Sequence, residues 1–273
     1  RDAQESRGLG DVYKRQIKYC VENDIKAYVR PNIGDFIISN AKTVQMANLP
    51  VMICERATPS LFYVAMKRAM DIVISLIGLV IASPFLLVTA IAIKAYDHGP
   101  VFYKQVRLTK NGRKFKILKF RSMKVDAEKD GVARLSSEND DRITPVGKVI
   151  RACRIDELPQ LINILKGDLA VVGPRPERPE IATQYVKEMP EFSLRLQVKA
   201  GLTGYAQVYG KYNTEPYDKL QMDLMYVNQM GLVSDVKIIL ATIKILFMPE
   251  STEGIAEGST TAMGTGKENK MIL

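Results

Sequence analysis

The sequence predicts an α/β protein, more narrowly α+β, that carries a membrane element, and three observations predict it. Residues 72–93 form a run of twenty-two residues without a charged side chain. Two segments between Val101 and Lys124 alternate apolar and basic residues, which is the period of a strand. From Leu158 onward, apolar residues at helical spacing alternate with short apolar runs of strand length.

Length, charge and residue usage restrict the function classes. The 273 residues, 47% of them hydrophobic, leave room for one catalytic domain plus a membrane element or a partial second domain. A net charge of +9 indicates anionic partners: nucleic acid, an anionic lipid surface or phosphorylated substrates. Three cysteines without a Cys-x-x-Cys pattern argue against a disulfide scaffold. His98 is the single histidine, so catalytic triads and zinc sites that need a second imidazole have little support.

The first part of the chain has two sections. Residues 11–16 (DVYKRQ) can be written in codons as the mosaic end of a sequencing transposon. We therefore expect residues 1–16 to be an adaptor read into the reading frame, and the chain to be a fragment. Beyond them, the pattern predicts an amphipathic helix over 17–23 and strands over 25–29 and 49–54.

The uncharged run would be about 33 Å long as one straight helix, which is enough to span a bilayer. Ser83 and Pro84 lie in its middle, where proline removes one N–H and clashes with the preceding turn. Basic residues flank both ends, among them Lys67 and Lys94, so both ends favour the cytoplasm. Two alternatives follow from the residues: a kinked span, or two half-helices joined at Ser83-Pro84 that enter and leave by the same leaflet.

The densest basic stretch follows this run, and it contains Lys104, Arg107, Lys110, Arg113, Lys114, Lys116, Lys119, Arg121 and Lys124. Its alternation predicts a hairpin with a turn at 110–113. Three uses compete: a solvated face, a nucleic-acid surface, or an anchor for lipid headgroups and a lipid phosphate. The neighbouring membrane segment favours the third, with Lys116, Lys119 and Arg121 as candidate substrate-binding residues. Scarce exposed aromatic residues argue against nucleic acid.

Two adjacent carboxylates, Asp156 and Glu157, stand where a helix is predicted to begin. Pro159 is tolerated only in a first turn, apolar residues follow at helical spacing, and Gly167 suits the end. Backbone N–H groups at such a terminus favour negative charge, so we expect both carboxylates to stay ionised and to serve as metal ligands or nucleophile. The alternative is an N-cap aspartate followed by a surface ion pair.

Arginines bracket the carboxylates, as expected where a divalent metal and a phosphate meet: Arg151, Arg154 and Arg175. Arg175 lies between prolines in a rigid turn at 173–176, which suits a diphosphate clamp. The glycine-rich stretch 201–210 allows close backbone approach, with Gln207 as a candidate substrate contact.

Three motifs in this order resemble the bacterial polyprenyl-phosphate sugar-phosphate transferases: IDELPQLINILKGD at 155–168, VVGPRP at 171–176 and GLTGYAQVYG at 201–210. This family comprises the monotopic phosphoglycosyl transferases that start exopolysaccharide and glycan assembly, and the resemblance runs from about Met66 to Phe247. It implies transfer of a sugar-1-phosphate from a UDP-sugar to undecaprenyl phosphate, with release of UMP. By resemblance Asp156 is the nucleophile, Glu157 supports Mg²⁺ and proton handling, and Arg151 and Arg175 hold phosphate oxygens.

The resemblance also implies an organisation and a location. It favours the re-entrant helix-break-helix at Ser83 and Pro84, a bacterial inner-membrane location, and a catalytic domain on the cytoplasmic face. The expected segments are the adaptor 1–16, a remnant of a Rossmann-like domain 17–63, the re-entrant hairpin 64–97, the catalytic domain 98–248 and a disordered tail 249–273. The expected partners are the UDP-sugar, undecaprenyl phosphate and membrane lipids. The competing class is a basic, membrane-tethered module that binds anionic polymers without catalysis.

Overall fold

The computed structural model describes residues 14–46, 49–127, 140–210 and 214–246. The expectations for residues 1–13 and for the tail 249–273 lie outside the described residues. Residues 14–22 form helix α1, and Ile33–Ser39 form helix α2. Strands β1 (Lys42–Met46) and β2 (Leu49–Ile53) pair with each other in antiparallel register.

Two expectations for this first part are resolved. The strand predicted over 49–54 is confirmed as β2, whereas the strand predicted over 25–29 is wrong, because residues 25–30 have no regular structure. Helix α2 was not predicted; its start is a capping box in which Asn32 accepts from the Asp35 amide and Asp35 accepts from the Asn32 amide. Since β1 and β2 form a separate antiparallel sheet, the Rossmann-like origin of this segment stays a prediction.

A single long helix, α3 (Leu61–Asp97), contains the whole uncharged run with Pro84 inside it. The structure therefore shows no break into two half-helices at Ser83-Pro84, and the re-entrant course of this segment stays a prediction. Ser83 Oγ donates to the carbonyl of Val80, 2.8 Å away and one turn back, where the helix accommodates the proline. By length and composition α3 could cross a membrane, and few of its apolar residues are buried.

The hairpin predicted from the basic stretch is confirmed. Strands β3 (Phe102–Leu108) and β4 (Lys114–Phe120) pair in antiparallel register. The turn between them is a 3-10 segment, Lys110–Gly112, in which Asn111 has a left-handed backbone with φ +61°.

The rest of the described chain is helical with one more small sheet. In chain order its elements are α4 (Pro145–Ala152), a 3-10 turn (Ile155–Glu157), α5 (Gln160–Lys166), β5 (Ala170–Val172), α6 (Pro179–Glu188), a 3-10 helix (Pro190–Gln197), β6 (Gly201–Thr203), α7 (Tyr205–Val208), α8 (Pro216–Asn228) and α9 (Leu232–Leu246). Strands β5 and β6 pair in parallel. The predicted mixture of helices and strands is thus confirmed, as an α+β fold whose described sheets each have two strands.

The main hydrophobic core lies between α5, the β5–β6 pair, α8 and α9. Ile164, Leu169, Val172 and Ile238 are each completely buried there. Burying a side chain of this size contributes about 1.5–3 kcal/mol, so these residues determine how the small elements assemble. Separate clusters join α6 to α8 and join Ile93 of α3 to the hairpin and α4.

Buried polar contacts attach the first third of α3 to this core. Lys67 Nζ lies 2.8 Å from Oδ2 of Asp235, a completely buried residue of α9. Arg68 donates to the carbonyls of Ile164 and Leu165 at 2.6 and 2.7 Å, which satisfies the open end of α5. Asp71, only 2% exposed, accepts a 3.0 Å hydrogen bond from the amide of Val171 on β5.

The far end of α3 is attached as well. Asp97, its last residue, pairs with Arg121 directly after β4, and Arg121 is only 7% exposed. The Arg121 guanidinium also fills the space beside Gly99, where a Cβ atom would come within 1.9 Å of Nη1. Both ends of α3 are therefore bound to the same body of the protein.

Asp71 allows a test of this attachment. In Asp71→Ala the Val171 N–H loses its acceptor while it stays buried, so we expect the free energy of unfolding to fall by about 1–3 kcal/mol. Asp71→Asn keeps an acceptor oxygen and should lose clearly less. Thermal unfolding of both variants in one detergent measures the difference; equal losses would mean that the carboxylate charge, rather than the hydrogen bond, is what stabilises this contact.

Candidate active site

The two adjacent carboxylates lie in a tight turn between two helices. Helix α4 ends at Ala152, and Arg154 then takes a left-handed backbone with φ +54° that redirects the chain. Asp156 and Glu157 follow in the 3-10 turn, and Pro159 precedes α5 as its N-cap residue. The predicted helix start is confirmed with one difference. The carboxylates lie in a 3-10 turn just before α5, rather than in the first turn of α5 itself.

Helix α5 is fixed to the hairpin by Asn163, which the sequence interpretation did not single out. Its Oδ1 accepts from the Leu118 amide and its Nδ2 donates to the Lys116 carbonyl, both at 2.9 Å. Asn163 is 4% exposed. Its side chain pairs with the backbone N–H and C=O groups of β4 in the way that a neighbouring strand would. A single polar residue within the apolar pattern LINIL was the available signal, because a buried amide needs specific partners.

This clamp places the carboxylate turn beside the hairpin. Glu157 Oε1 accepts from Lys119 Nζ at 2.7 Å and from Arg175 Nη2 at 2.9 Å. Burial alone would raise the pKa of Glu157, but the charges and hydrogen bonds of Arg175 and Lys119 outweigh it and hold the pKa well below its usual range. The expectation that Glu157 stays ionised is therefore supported.

Asp156 lies in a different environment. Burial raises the pKa of its carboxyl, and the Glu157 charge adds to this, while Lys119, Arg151 and Arg175 act in the opposite direction. The shift is opposite to the one expected from a helix terminus. Within the described residues no group donates a hydrogen bond to the Asp156 carboxylate. Its oxygens are thus available to a substrate or a metal.

The predicted site residues fall into two groups. The first group consists of residues whose charges act on one another. They come from four separate parts of the chain: Lys119, Arg151, the pair Asp156 and Glu157, and Arg175.

Lys116 and Arg121 do not join this group through any contact that the structure shows. Lys116 is exposed and, by strand alternation, lies on the opposite face of β4 from Lys119. Arg121 is committed to Asp97 and so serves the attachment of α3. Their substrate-binding roles stay predictions.

Gln207 lies on α7, next to the turn that carries Arg175. A Cβ atom added to Gly204 would lie 2.9 Å from Gln207 Oε1 and 2.3 Å from the carbonyl oxygen of Gly173. Gln207 is therefore close to the start of that turn. Both its amide oxygen and its amide nitrogen are buried and lack a hydrogen-bond partner among the described residues. Buried amides are normally paired, so Gln207 has unused capacity to bind a ligand group.

The carboxylate pair fits a magnesium site of one kind. No group of three or more His, Cys, Asp or Glu side chains comes together in residues 14–46, 49–127, 140–210 and 214–246. Mg²⁺ at phosphate-transfer sites is typically held by one or two carboxylates, with the remaining positions taken by water and substrate phosphates. Asp156 with its uncommitted oxygens, next to Glu157, offers such a pair.

Comparison with known proteins identifies the family. The sequence profile described as bacterial sugar transferase matches residues 62–249. The chain is 42% identical over 191 residues to the UDP-N-acetylgalactosamine-undecaprenyl-phosphate N-acetylgalactosaminephosphotransferase of Aeromonas hydrophila, which covers 69% of this chain and 45% of that protein. It is 34% identical over 239 residues to the UDP-glucose:undecaprenyl-phosphate glucose-1-phosphate transferase of Escherichia coli K12, covering 86% of this chain and 51% of that protein.

A third relative is shorter. The chain is 38% identical over 190 residues to the UDP-glucose:undecaprenyl-phosphate glucose-1-phosphate transferase of Caulobacter vibrioides, covering 68% of this chain and 71% of that protein. The chain spans about half the length of the Aeromonas and Escherichia relatives. Because the profile matches well over half of the chain and includes the carboxylate turn, the chain belongs to the bacterial sugar transferase family.

Proposed function

We propose that this chain is a membrane-associated phosphoglycosyl transferase that moves a sugar-1-phosphate from a UDP-sugar to undecaprenyl phosphate. The products are the undecaprenyl-diphosphate sugar and UMP. The observation that carries the proposal is the convergence of Asp156 and Glu157 with Lys119, Arg151 and Arg175 in a protein that also carries a long apolar helix. The names of the relatives support the substrate classes.

The reaction proceeds in two displacements at the β-phosphorus of the donor. An oxygen of Asp156 forms a bond to this phosphorus, and the bond to the bridging oxygen breaks, so that UMP leaves with the electron pair. An oxygen of undecaprenyl phosphate then attacks the phosphosugar on Asp156 and releases the carboxylate. The absence of a hydrogen bond to Asp156 among the described residues leaves its oxygens uncommitted for this attack.

The neighbouring groups stabilise the charge that moves during transfer. Arg151 and Arg175 bind phosphate oxygens, and Lys119 lies beside Glu157 on the same side of the turn. Mg²⁺, when held by Asp156 and Glu157, neutralises negative charge on the diphosphate. Arg175 and Lys119 hold the pKa of Glu157 below its usual range, which favours the anionic carboxylate that keeps both cations beside it.

The attachment of α3 supports a re-entrant position in the inner membrane, with the site at the cytoplasmic face. Its first third contacts Asp235 and Val171, and its last residue contacts Arg121. In a straight span, the two ends of the helix would lie on opposite sides of a hydrocarbon core about 30 Å thick. A protein body that binds both ends therefore favours entry and exit by the same leaflet.

Helix α9 adds a second apolar surface next to α3. Asp235 and Ile238 are completely buried on one side of it, where the helix packs against the core. Val233, Val236, Leu240 and Ile243 remain exposed at helical spacing on the other side. This stripe supports a position in the membrane interface for the outer face of α9, while its inner face packs against the core.

The first test is UMP release. Protein reconstituted with undecaprenyl phosphate and Mg²⁺ should release UMP from one or a few members of a panel of UDP-sugars, and EDTA should abolish the release. Release that persists in EDTA would contradict the metal site. Binding of anionic polymers without any UMP release would support the non-catalytic module instead.

A second test addresses the nucleophile. Asp156→Asn should abolish turnover, because the amide is a poor nucleophile, while the protein still folds and partitions to membranes. Residual activity is measured as radiolabelled sugar transferred to lipid. Glu157→Gln is the matched comparison: it should reduce turnover without preventing formation of the phosphosugar on Asp156. Substantial activity in Asp156→Asn would exclude the nucleophilic role.

A third test addresses topology. In a variant with Cys20, Cys54 and Cys153 replaced by serine, we expect single cysteines at Met66 and at Tyr96 to react with a membrane-impermeant maleimide from the cytoplasmic side only. Both native side chains are exposed, at 42% and 51%. The reaction is compared in sealed inside-out and right-side-out vesicles. Labelling from opposite sides would establish a span.

A further inference from the structure

We propose that Arg195 is a positioning residue for Arg175: it holds the backbone of residues 174–177 and thereby directs the Arg175 side chain to Glu157. The inference rests on the proposed function in one respect, since the effect on turnover presupposes that the chain is a transferase. The contacts themselves do not depend on it. Arg195 was not singled out by any sequence motif.

The segment 174–177 is held carbonyl by carbonyl. Each of its four carbonyl oxygens accepts a hydrogen bond from a different donor: Pro174 from the Gly201 amide at 2.9 Å, Arg175 from Arg195 Nη2 at 2.8 Å, Pro176 from Arg107 Nη1 at 3.1 Å and Glu177 from the Leu108 amide at 3.0 Å. Two of the four residues are prolines, which have a fixed φ. The backbone next to the Arg175 side chain is thus held on every side.

Arg195 supplies the contact at Arg175 itself, and its own position is determined. Its side chain is 6% exposed, and Nη2 lies 2.7 Å from Oδ2 of Asp223, a buried residue of α8. The guanidinium carbon lies 4.8 Å from the centre of the Phe192 ring. A planar guanidinium held by an ion pair and an aromatic ring has little rotational freedom, so its hydrogen bond to Arg175 has a fixed direction.

Arg175 needs this support because its own side chain is not enclosed. It is 49% exposed and reaches Glu157 through one 2.9 Å contact. The position of a long exposed side chain depends mainly on the backbone that carries it. Small misplacements of a group that stabilises charge strongly reduce turnover. Arg195 does not touch Glu157 or Asp156 in the structure, so it acts through Arg175.

The test uses variants that remove this hydrogen bond without leaving an unpaired buried charge. Arg195→Lys keeps the positive charge beside Asp223 but lacks the planar guanidinium, whose Nη2 contacts both Asp223 and the Arg175 carbonyl. Arg195→Met combined with Asp223→Leu removes this ion pair, which buried pairs often tolerate. Glu177, whose Oε1 lies 3.7 Å from Arg195 Nη1, still has Arg107 as a partner at 3.9 Å. Arg30→Gln is the control, since Arg30 is an exposed arginine that pairs with Asp218 of α8 and lies outside the basic stretch.

We expect kcat for UMP release to fall about tenfold or more in both Arg195 variants, with a smaller change in KM and with thermal midpoints near that of the unaltered protein. The control should retain its activity. In an Arg175→Gln background, the Arg195 substitutions should cause no further loss, because the residue through which Arg195 acts is already absent. A loss that adds in full to that of Arg175→Gln would overturn the proposal.

Hydrogen–deuterium exchange supplies a readout that does not depend on activity. The backbone amides within residues 173–178, which are those of Gly173, Arg175, Glu177 and Arg178 because prolines have none, should exchange faster in both Arg195 variants. The β3–β4 hairpin should exchange as before. Unchanged exchange at 173–178 would overturn the proposal. If the unaltered protein releases no UMP from any donor while exchange at 173–178 responds as expected, the proposed function fails and the positioning of Arg175 by Arg195 is retained.

Discussion

In the part of the chain that the structure describes, the sheets have two strands each, and the backbone groups that such small sheets leave unpaired constrain the rest of the fold. Buried side chains take the place of the missing strands. Asn163 binds both an amide and a carbonyl of β4, Asp71 accepts from β5, and Thr109 accepts from the amide of Ala200 just before β6. An unpaired buried amide costs about 1–3 kcal/mol, so each of these side chains fixes one element against its neighbour.

The same contacts bring the candidate site together. Asn163 joins α5 to β4, which places the turn of Asp156 and Glu157 next to Lys119. The parallel pairing of β5 with β6 ends in the turn that presents Arg175. The carboxylates and cations therefore come from elements that are each too short to be stable alone. Their relative placement depends on the buried polar contacts more than on any one element.

Local patterns predicted much of this architecture. The alternation of apolar and basic residues predicted the hairpin, and the Asp-Glu pair before an apolar helical pattern predicted the carboxylate turn, because both depend on neighbouring residues. What could not be predicted depends on distant partners. The pairing of Arg121 with Asp97, which lies twenty-four positions earlier, is one example, since neighbouring residues gave no sign of it. Likewise, the proline at position 84 predicted a break, whereas α3 continues through it.

The double attachment of α3 has a mechanical consequence. A membrane helix that is fixed at one end adapts to bilayers of different thickness by tilting, at a modest cost per ångström. Helix α3 is bound near its start through Lys67 and at its end through Asp97, so it cannot tilt without moving the carboxylate turn with it. In the proposed membrane placement, differences in lipid length would then be absorbed by deformation of the surrounding leaflet. The depth of the site relative to the headgroups would thus be set by the protein rather than by the lipid.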